Sequence, residues 1–291
     1  MSDSSADEAL LRRLEDNASG AAARGRESVE CGPFRALLDP STDMVWLNYA
    51  VPISPGALLP GPALETALAD LRHAFQARGR RLRFEFTAGL WPTFPTLLEQ
   101  AGLVLQARHP LMVCTPADFT PVRPPGVQAR LLDGADRPAL ATFLTVRQQG
   151  FADLFAPADL ASASDPPQAR AIDELRQELE SEQVRAALAT VDGIPASAGV
   201  TAPLLGIAEL AGVATVPQLR RRGGATALSS ALVRDHFDRG GEIVWISAGD
   251  AIAQAVYERI GFRLVGARLN YIAPDASEDS DLKDSARADG A

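Results

Sequence analysis

The segment from Val213 to Thr226 constrains the fold more than any other part of the 291-residue chain. It reads as a strand, a proline at 217, three arginines at 220–222, the pair Gly223-Gly224 and the start of a helix. Because glycines permit positive φ angles, consecutive N–H groups can point the same way at the helix N-terminus. Unpaired amides, the helix dipole and adjacent arginines form an anion site suited to a pyrophosphate. The patterns Gly-x-Gly-x-x-Gly and Gly-Lys-Ser/Thr do not follow, which argues against a dinucleotide fold and a Walker loop.

The elements around this segment predict one mixed sheet. Apolar spacing predicts a helix over 137–149, with Leu140, Phe143, Leu144 and Arg147 on one face. Asp192-Gly193 predicts a hairpin turn. From Val127 onward the order is strand, two helices, three strands, helix, strand, helix and final strands. This order predicts an α/β (mixed α+β) fold with helices on both faces of the sheet.

A second motif, Asp250-Ala-Ile-Ala253-Gln-Ala-Val-Tyr257-Glu-Arg-Ile-Gly261-Phe262, predicts a short helix capped by Asp250 and ended by Gly261. With Arg220-x-x-Gly223-x-Ala225 it resembles the GNAT superfamily of acyltransferases, which carry Arg/Gln-x-x-Gly-x-Gly/Ala and Asn-x-x-Ala-x-x-x-Tyr-Glu-x-x-Gly-Phe. Asp250 replaces the usual asparagine. The resemblance implies transfer of an acetyl group from acetyl-CoA to an amine by direct attack in a ternary complex, without a metal.

The resemblance also implies a cofactor site. Amides of residues 221–226 would hold the CoA pyrophosphate, and the strand at 213–215 would pair with the pantetheine arm. The cofactor-binding residues expected on this basis are Val213, Ala214, Thr215, Arg220, Arg221, Arg222, Gly223, Gly224, Ala225, Thr226 and Asp250.

Two side chains are candidates for the chemistry. Acetyl transfer needs a neutral amine, a donor to the carbonyl oxygen and a proton for the leaving thiolate. The resemblance assigns the proton to Tyr257, whose alternative role is to pack its ring on the sheet, and the oxygen to an amide near Val213 or Ala214. Glu209 is the candidate base; alternatively it binds a cationic acceptor or pairs with an arginine. Strand alternation puts residues 209, 211, 213 and 215 on one face, unless a bulge reverses the parity.

Other chemistries have weaker support. His73, His109 and His236 are isolated, and no serine lies in a Gly-x-Ser-x-Gly elbow. Cys31 and Cys114 are too far apart in sequence for a metal cluster or a disulfide framework, which fits a reducing cytoplasm. We therefore expect a cytoplasmic protein.

Net charge narrows the range of partners. Of the total of −9, the first eight residues contribute −3 and residues 274–291 contribute −4, so both termini are expected to be solvated extensions. The nearly neutral middle of the chain argues against nucleic acid or an anionic membrane. The expected acceptor is a small-molecule or peptide amine, bound by a monomer or homodimer. Its pocket is expected around Phe143, Phe151, Phe155 and 192–206, where no residue type identifies the acceptor.

The N-terminal half repeats part of the C-terminal half. A shift of 162 residues places Val51 on Val213, Pro55 on Pro217, Gly61 on Gly223, Ala63 on Ala225 and Phe75 on Phe237; a shift of 159 places Glu99 on Glu258 and Gly102 on Gly261. The matching site has lost its chemistry, since Leu58, Pro60, Pro62 and Leu98 stand at the positions of Arg220, Arg222, Gly224 and Tyr257. A chance match between generic helix patterns is the alternative.

We therefore predict two GNAT-like units, each with a mixed, mostly antiparallel central sheet flanked by helices. Residues 1–122 would form a truncated, degenerate unit with a structural or acceptor-cleft role. Residues 127–274 would form the catalytic unit, after a proline-rich linker, and 275–291 an acidic disordered tail. The rival hypothesis for function is a non-catalytic acyl-CoA sensor or scaffold.

Overall fold

The computed structural model describes residues 2–53, 60–152 and 169–274, and the side chains among them from residue 7 onward. These residues form two compact units. The first comprises the chain up to Glu15, residues 22–109 and the segment from Gly266 onward; the second comprises residues 16–21 and 110–265. The predicted tail at 275–291, Pro55, Leu58 and Phe155 lie outside the described residues.

The N-terminal segment predicted as an extension is part of a helix, although the side chains of Asp7 and Glu8 are exposed as expected for a solvated segment. Residues Ser2–Ala22 form helix α1. Leu14 and Ala18 are buried, and Leu11 packs on the core of the first unit. The acidic residues at the start of the chain concealed this helical spacing of apolar residues, which is what holds the segment in place.

The first unit is built on a five-stranded sheet in the order β1-β2-β3-β4-β11. Its strands are β1 (Glu27–Cys31), β2 (Phe34–Leu38), β3 (Tyr49–Pro52), β4 (Arg83–Thr87) and β11 (Arg263–Ile272), with a 3-10 helix at Val45–Leu47. Neighbouring strands are antiparallel except β3 and β4. Helices α2 (Pro62–Gln76) and α3 (Phe94–Gln100) cover one face. Phe34, Phe84, Phe86 and Phe94 cluster in the core between them, with ring centroids 4.9–5.5 Å apart.

The second unit has a six-stranded sheet in the order β5-β10-β9-β8-β7-β6. Its strands are β5 (Val104–Cys114), β6 (Val127–Leu131), β7 (Arg185–Val191), β8 (Ile194–Leu204), β9 (Ile207–Thr215) and β10 (Ile243–Ser247). Only β9 and β10 are parallel. Helices α6 (Gly224–Asp238) and α7 (Ala251–Glu258) pack on one face of this sheet, and α4 (Arg137–Gly150) and α5 (Ala169–Glu180) pack on the other. The predicted fold class, a mixed and mostly antiparallel sheet flanked by helices, is confirmed.

Each unit takes its last strand from the other half of the chain. Residues 111–114 of β5 pair with β10, although β5 follows α3 of the first unit. Residues 268–272 of β11 pair with β4, although β11 follows α7 of the second unit. The predicted domains, 1–122 and 127–274, follow chain order and therefore assign both strands differently from the compact units. The proline-rich segment 115–126 is part of the second unit, where Phe119 and Val122 pack on the core.

The two halves repeat the same elements in the same order. The bounds of α2, shifted by 162 residues, coincide with those of α6, and the bounds of β4, shifted by 160, coincide with those of β10. In each half a short helix and a long strand follow. Strand, helix, strand, helix and strand thus recur with nearly constant spacing, as the tandem hypothesis requires.

Candidate functional site

The loop between β9 and α6 has the backbone conformation that the glycine pattern predicts. A 3-10 turn at Pro217–Leu219 follows β9, and Arg220 is extended. Arg221 and Gly223 then have φ angles of 62° and 87°. An arginine in the left-handed region is strained, which is common where a backbone is shaped for a ligand. Gly223 precedes the first residue of α6.

The N-terminus of α6 carries unpaired amides. Its first helical hydrogen bond runs from the Ala227 N–H to the Gly223 oxygen, at 3.0 Å. Within the described part of the chain, the amides of residues 221–226 donate to no other main-chain atom. The first turn of α6 also contains no acidic side chain. The helix therefore offers donors and the positive end of its dipole without an internal counter-charge.

Packing around the loop requires both glycines. A Cβ on Gly223 would lie 2.7 Å from Cβ and Cγ of Pro124, and a Cβ on Gly224 would overlap Oγ of Ser197. Ser197 is itself bonded to Thr215, with the two hydroxyl oxygens 2.9 Å apart. The loop is thus pressed against β8 and the segment before β6, and larger residues would displace it.

Two of the three loop arginines are engaged by the protein. Arg220 donates from Nε to the Thr215 oxygen (3.2 Å) and from Nη2 to the Gly150 oxygen (3.1 Å). Arg222 forms an ion pair with Asp192 in the β7–β8 turn, at 2.5 Å. Arg221 is exposed. Arg220 therefore ties the end of β9 to the end of α4, in addition to supplying charge beside the loop.

Strands β9 and β10 pair only at their beginnings. The parallel pairs are Ile207 with Ile243, Ala208 with Val244, and Glu209 with Trp245. Beyond Glu209, in the part of the chain that the structure describes, β9 pairs only with β8. The edge of β9 that would face β10 is therefore open to another extended group from Leu210 to Thr215.

A β-bulge in β9 changes which residues share a face. Ser197 and Ala198 pair with Thr215 and Ala214, but Val200 pairs with Ala211, so β9 carries one extra residue beside Gly199. Gly212 has a φ of 60°. The simple alternation of 209, 211, 213 and 215 is therefore wrong, and the bulge that the sequence left open is present. Glu209 and Ala211 face α4 and α5, whereas Val213 packs with α6.

Tyr257 lies near the end of α7 with its ring in the core of the second unit, 5.7 Å from the Phe262 ring centroid. Burial raises the pKa of its phenol, and the nearby Asp250 carboxylate raises it further. The hydroxyl stays protonated at neutral pH and has no hydrogen-bond partner among the described residues. The ring therefore packs on the sheet, while the hydroxyl keeps a proton that it can donate.

The residues around Tyr257 fix its helix. Asp250 caps α7, because its Oδ1 accepts from the Ala253 N–H at 2.7 Å. Gly261 ends the motif with a φ of 100°, and a Cβ there would collide with the Asp118 oxygen. The observed role of Asp250 is thus the capping role that either Asp or Asn performs well.

His236 and the two cysteines are buried within the protein. Nε2 of His236 lies 3.2 Å from the Gly206 oxygen, and burial lowers the pKa of its imidazole. Cys31 and Cys114 are free and buried, and burial raises the pKa of the Cys114 thiol to about 12. Among the described residues no group of His, Cys, Asp and Glu could hold a metal. No helix in those segments is long and apolar enough to cross a membrane.

The sequence did not single out two features of this unit. Asn17 of α1 accepts from Nε1 of the buried Trp245 (2.7 Å) and donates to the oxygens of Leu204 and Ile207. Arg147 of α4 lies against the β9 bulge. Arg147 falls on the apolar face of its predicted helix, and a charged residue on that face was the available signal. Nothing comparable marked Asn17.

Comparisons with known proteins agree with this geometry. Residues 198–271 match the family model described as FR47-like protein. A GCN5-related N-acetyltransferase from Kribbella flavida is 25% identical, with 92% of this chain and 96% of that chain covered and a TM-score of 0.69. One from Sphaerobacter thermophilus is 17% identical, with 92% of each chain covered and a TM-score of 0.61.

A tandem GNAT protein from the clavulanic acid biosynthesis pathway is 14% identical, with 84% of this chain and 79% of that chain covered and a TM-score of 0.53. No curated protein matches the chain. The FR47-like match spans the bulge, the loop, α6 and α7. The resemblance to the GNAT superfamily is thereby confirmed, and the chain has the fold of the GCN5-related N-acetyltransferases.

Proposed function

We propose that the second unit, predicted from sequence as residues 127–274, binds acetyl-CoA and transfers its acetyl group to an amine of a small molecule or peptide. The observation that carries this proposal is the open N-terminus of α6, with the unpaired amides of residues 221–226, directly after a strand that has parted from its neighbour. Such a helix end binds linked phosphates without further charge.

The cofactor would be held by main-chain groups. The amides of 221–226 would bind the pyrophosphate, and the open edge of β9 at 213–215 would pair with the pantetheine arm. Gly223 and Gly224 bring the loop close to β8, and Arg220 fixes the end of β9. Asp250 would act through α7, which it caps. No metal is required.

The transfer step forms a C–N bond and breaks the C–S bond of the thioester. A main-chain amide near Val213 or Ala214, at the bulge, would donate to the carbonyl oxygen as negative charge develops. Tyr257 would donate its hydroxyl proton toward the departing sulphur. Since its pKa is raised, we propose a hydrogen bond that stabilises the thiolate, with proton transfer completed as solvent enters.

Glu209 is the proposed acceptor of the amine proton, directly or through water. It faces α4 and α5, on the side of the sheet that those helices cover. The alternative role, binding of a cationic amine, uses the same position. Replacing Glu209 by glutamine separates the two: a base variant loses rate that high pH restores, because the amine then loses its proton to solvent, whereas a binding variant keeps a raised KM at every pH.

The first unit is proposed to be structural or to shape the acceptor cleft. Its helix α2 begins at Pro62, directly after Gly61 and Pro60, and proline has no N–H to offer an anion. Leu98 occupies the position of Tyr257 and is fully buried. The first unit therefore lacks an N–H at the position of Gly224 and a hydroxyl at the position of Tyr257.

An acetyl-CoA consumption assay against amines, polyamines, amino acids and peptides tests the proposal, with products identified by mass. The proposed enzyme yields an N-acetylated product with at least one class. Binding of acetyl-CoA without turnover for any class favours the sensor or scaffold instead. Absence of acetyl-CoA binding, measured by calorimetry on the full chain, would overturn both.

A further inference from the structure

Arg147 is a charged residue on the side of α4 that lies against β9. It belongs to the last turn of α4, and its guanidinium lies against the bulge of β9. Nη2, Cζ and Nε of Arg147 are 3.1, 3.5 and 3.6 Å from the point that a Cβ would occupy on Gly212. The glycine at the bulge therefore makes the room that the guanidinium fills.

The guanidinium of Arg147 is partly exposed and has no close ionic partner among the described residues. Burial lowers the pKa of Arg147, and the field of Glu178 on α5 opposes that shift. Its Cζ lies 5.6 Å from the centroid of the Phe143 ring. In the part of the chain that the structure describes, Arg147 forms neither an ion pair nor a hydrogen bond. A partly exposed guanidinium with unused donors beside the bulge is available to bind an anionic ligand.

The surroundings of Arg147 belong to the proposed reaction site. Gly212 adjoins Val213, whose amide is a candidate donor to the carbonyl oxygen. Glu209 faces the same side of β9 as Ala211. It precedes Gly212 by three residues, which is about 10 Å along the strand. One turn after Arg147, Gly150 contacts Ala214 and Thr215 and accepts from Arg220. Arg147 thus lies beside the bulge, between the proposed base and the part of β9 proposed to hold the cofactor.

We propose that Arg147 binds a carboxylate of the acceptor, so that the second unit acetylates an amine that carries a carboxylate a few bonds away. This inference rests on the proposed function. A guanidinium donates two parallel hydrogen bonds to a carboxylate, which fixes the orientation of the acceptor as well as its charge. The amine is thereby held toward Glu209 and the thioester, and Arg147 acts as an acceptor-binding residue with no proton transfer of its own.

Matched acceptor pairs test the inference. Each pair is an amino acid and its carboxamide, for example glycine with glycinamide and β-alanine with its amide. Because the amide has the less basic amine, kcat/KM is referred to the concentration of neutral amine; on this scale we expect the wild type to favour the carboxylate member by about 10- to 100-fold, the range of a charge-assisted contact. Arg147→Met should bring the ratio near one, mainly by raising KM for the carboxylate member. Arg147→Lys should keep part of the preference.

Arg137→Met is the matched control, because Arg137 is an exposed arginine at the start of the same helix and pairs with Asp173. It removes the same charge and should leave the preference unchanged. Equal loss for both members of a pair in Arg147→Met would show a structural role and overturn the inference. So would a wild type that uses both members equally, or that acetylates only amines without a carboxylate; in both cases the proposed function stands. If the wild type binds acetyl-CoA but acetylates no acceptor, both the proposed function and this inference are wrong.

Discussion

Helices α2 and α6 occupy equivalent places in the two units and differ in what their first turns offer. Both have 15 residues and both follow a strand that pairs in parallel with the next strand. Helix α2 starts at a proline, and its first turn contains Glu65, a carboxylate at the positive end of the dipole. Helix α6 starts at Gly224 with no acidic residue in its first turn. If α6 binds an anion as we propose, the difference from α2 lies in its N–H donors and in the absence of an acidic residue, since both helices have the same place in the fold.

Helices α3 and α7 also have equivalent places in the two units, and they differ in one buried side chain. Leu98 of α3 and Tyr257 of α7 both sit in their cores. Leucine and tyrosine bury comparable apolar surface, so either satisfies the packing. Only the tyrosine adds a hydroxyl, whose desolvation carries a cost unless a partner arrives. Under the proposed function, this hydroxyl is the chemical difference between α3 and α7.

The largest effect should come from closing the α6 N-terminus. Gly224→Val places branched carbons where Ser197 lies, and the loop must shift away from the helix axis. We expect acetyl-CoA affinity to fall by at least about 100-fold, since several charge-assisted hydrogen bonds are lost together. Calorimetry with acetyl-CoA measures this, alongside thermal unfolding to show that the variant folds.

Pro62→Ala is the matched control at the equivalent position of the first unit. Because α2 is not expected to bind the cofactor, this variant should keep wild-type affinity. A comparable loss of affinity in Pro62→Ala would mean that the first unit contributes to cofactor binding and that the contrast between the two helices is drawn wrongly.

The next largest effect concerns the hydroxyl of Tyr257. Tyr257→Phe keeps the ring and its packing near Phe262. We expect kcat to fall by about 10- to 1,000-fold, within or below the range of general acid catalysis, and acetyl-CoA affinity to change by less than about twofold. Steady-state kinetics with the best acceptor from the screen gives the first value and calorimetry the second.

Leu98→Met is the control for Tyr257→Phe, a conservative change at the matching buried position. Its kcat should equal that of the wild type. If kcat is unchanged in Tyr257→Phe, Tyr257 is only a packing residue, equivalent to Leu98. The main chemical difference between α3 and α7 would then be absent.

Much of the fold was predictable from the sequence, and the failures have physical causes. The β10 strand, the Asp192-Gly193 turn and the helical face of α4 follow from local spacing, which the chain carries explicitly. The exchange of β5 and β11 depends on which distant strand each one pairs with, and local patterns do not encode that choice. The same holds for the bulge: Gly212 permits it, but only the register with β8 places it.

The candidate site also combines features that local sequence predicts with features that depend on distant residues. The glycines of the loop were predictable because backbone geometry and packing leave few alternatives. The partners of Arg220 and Arg222 were not, since they come from α4 and the β7–β8 turn, far away in sequence. The sequence alone predicts both arginines as charge beside the cofactor. In the structure each is also bonded to the protein, so their contributions to binding and to stability have to be measured separately.

A moderate effect is expected for Arg220→Gln. The variant loses two hydrogen bonds that tie Thr215 to Gly150, at about 1 kcal/mol each for partly exposed contacts. The end of β9 becomes less ordered, and acetyl-CoA affinity should fall by about 10-fold. Calorimetry and urea unfolding report the two consequences. If affinity falls while unfolding is unchanged, Arg220 acts only as a charge, as the sequence alone suggested.

The smallest effect is expected for Arg222→Gln, which breaks the ion pair with Asp192. Both partners are largely exposed, with 44% and 61% of their side-chain surface accessible, so solvent screens the pair and its removal should cost under about 1 kcal/mol. Affinity should fall by less than about threefold, and Asp192→Asn should leave it unchanged or slightly improved, because it frees the positive charge of Arg222. Urea unfolding and calorimetry at two salt concentrations measure both. A loss of affinity in Arg222→Gln larger than in Arg220→Gln would show that Arg222 leaves Asp192 to contact the phosphates, and would make charge rather than backbone geometry the main difference between the α2 and α6 N-termini.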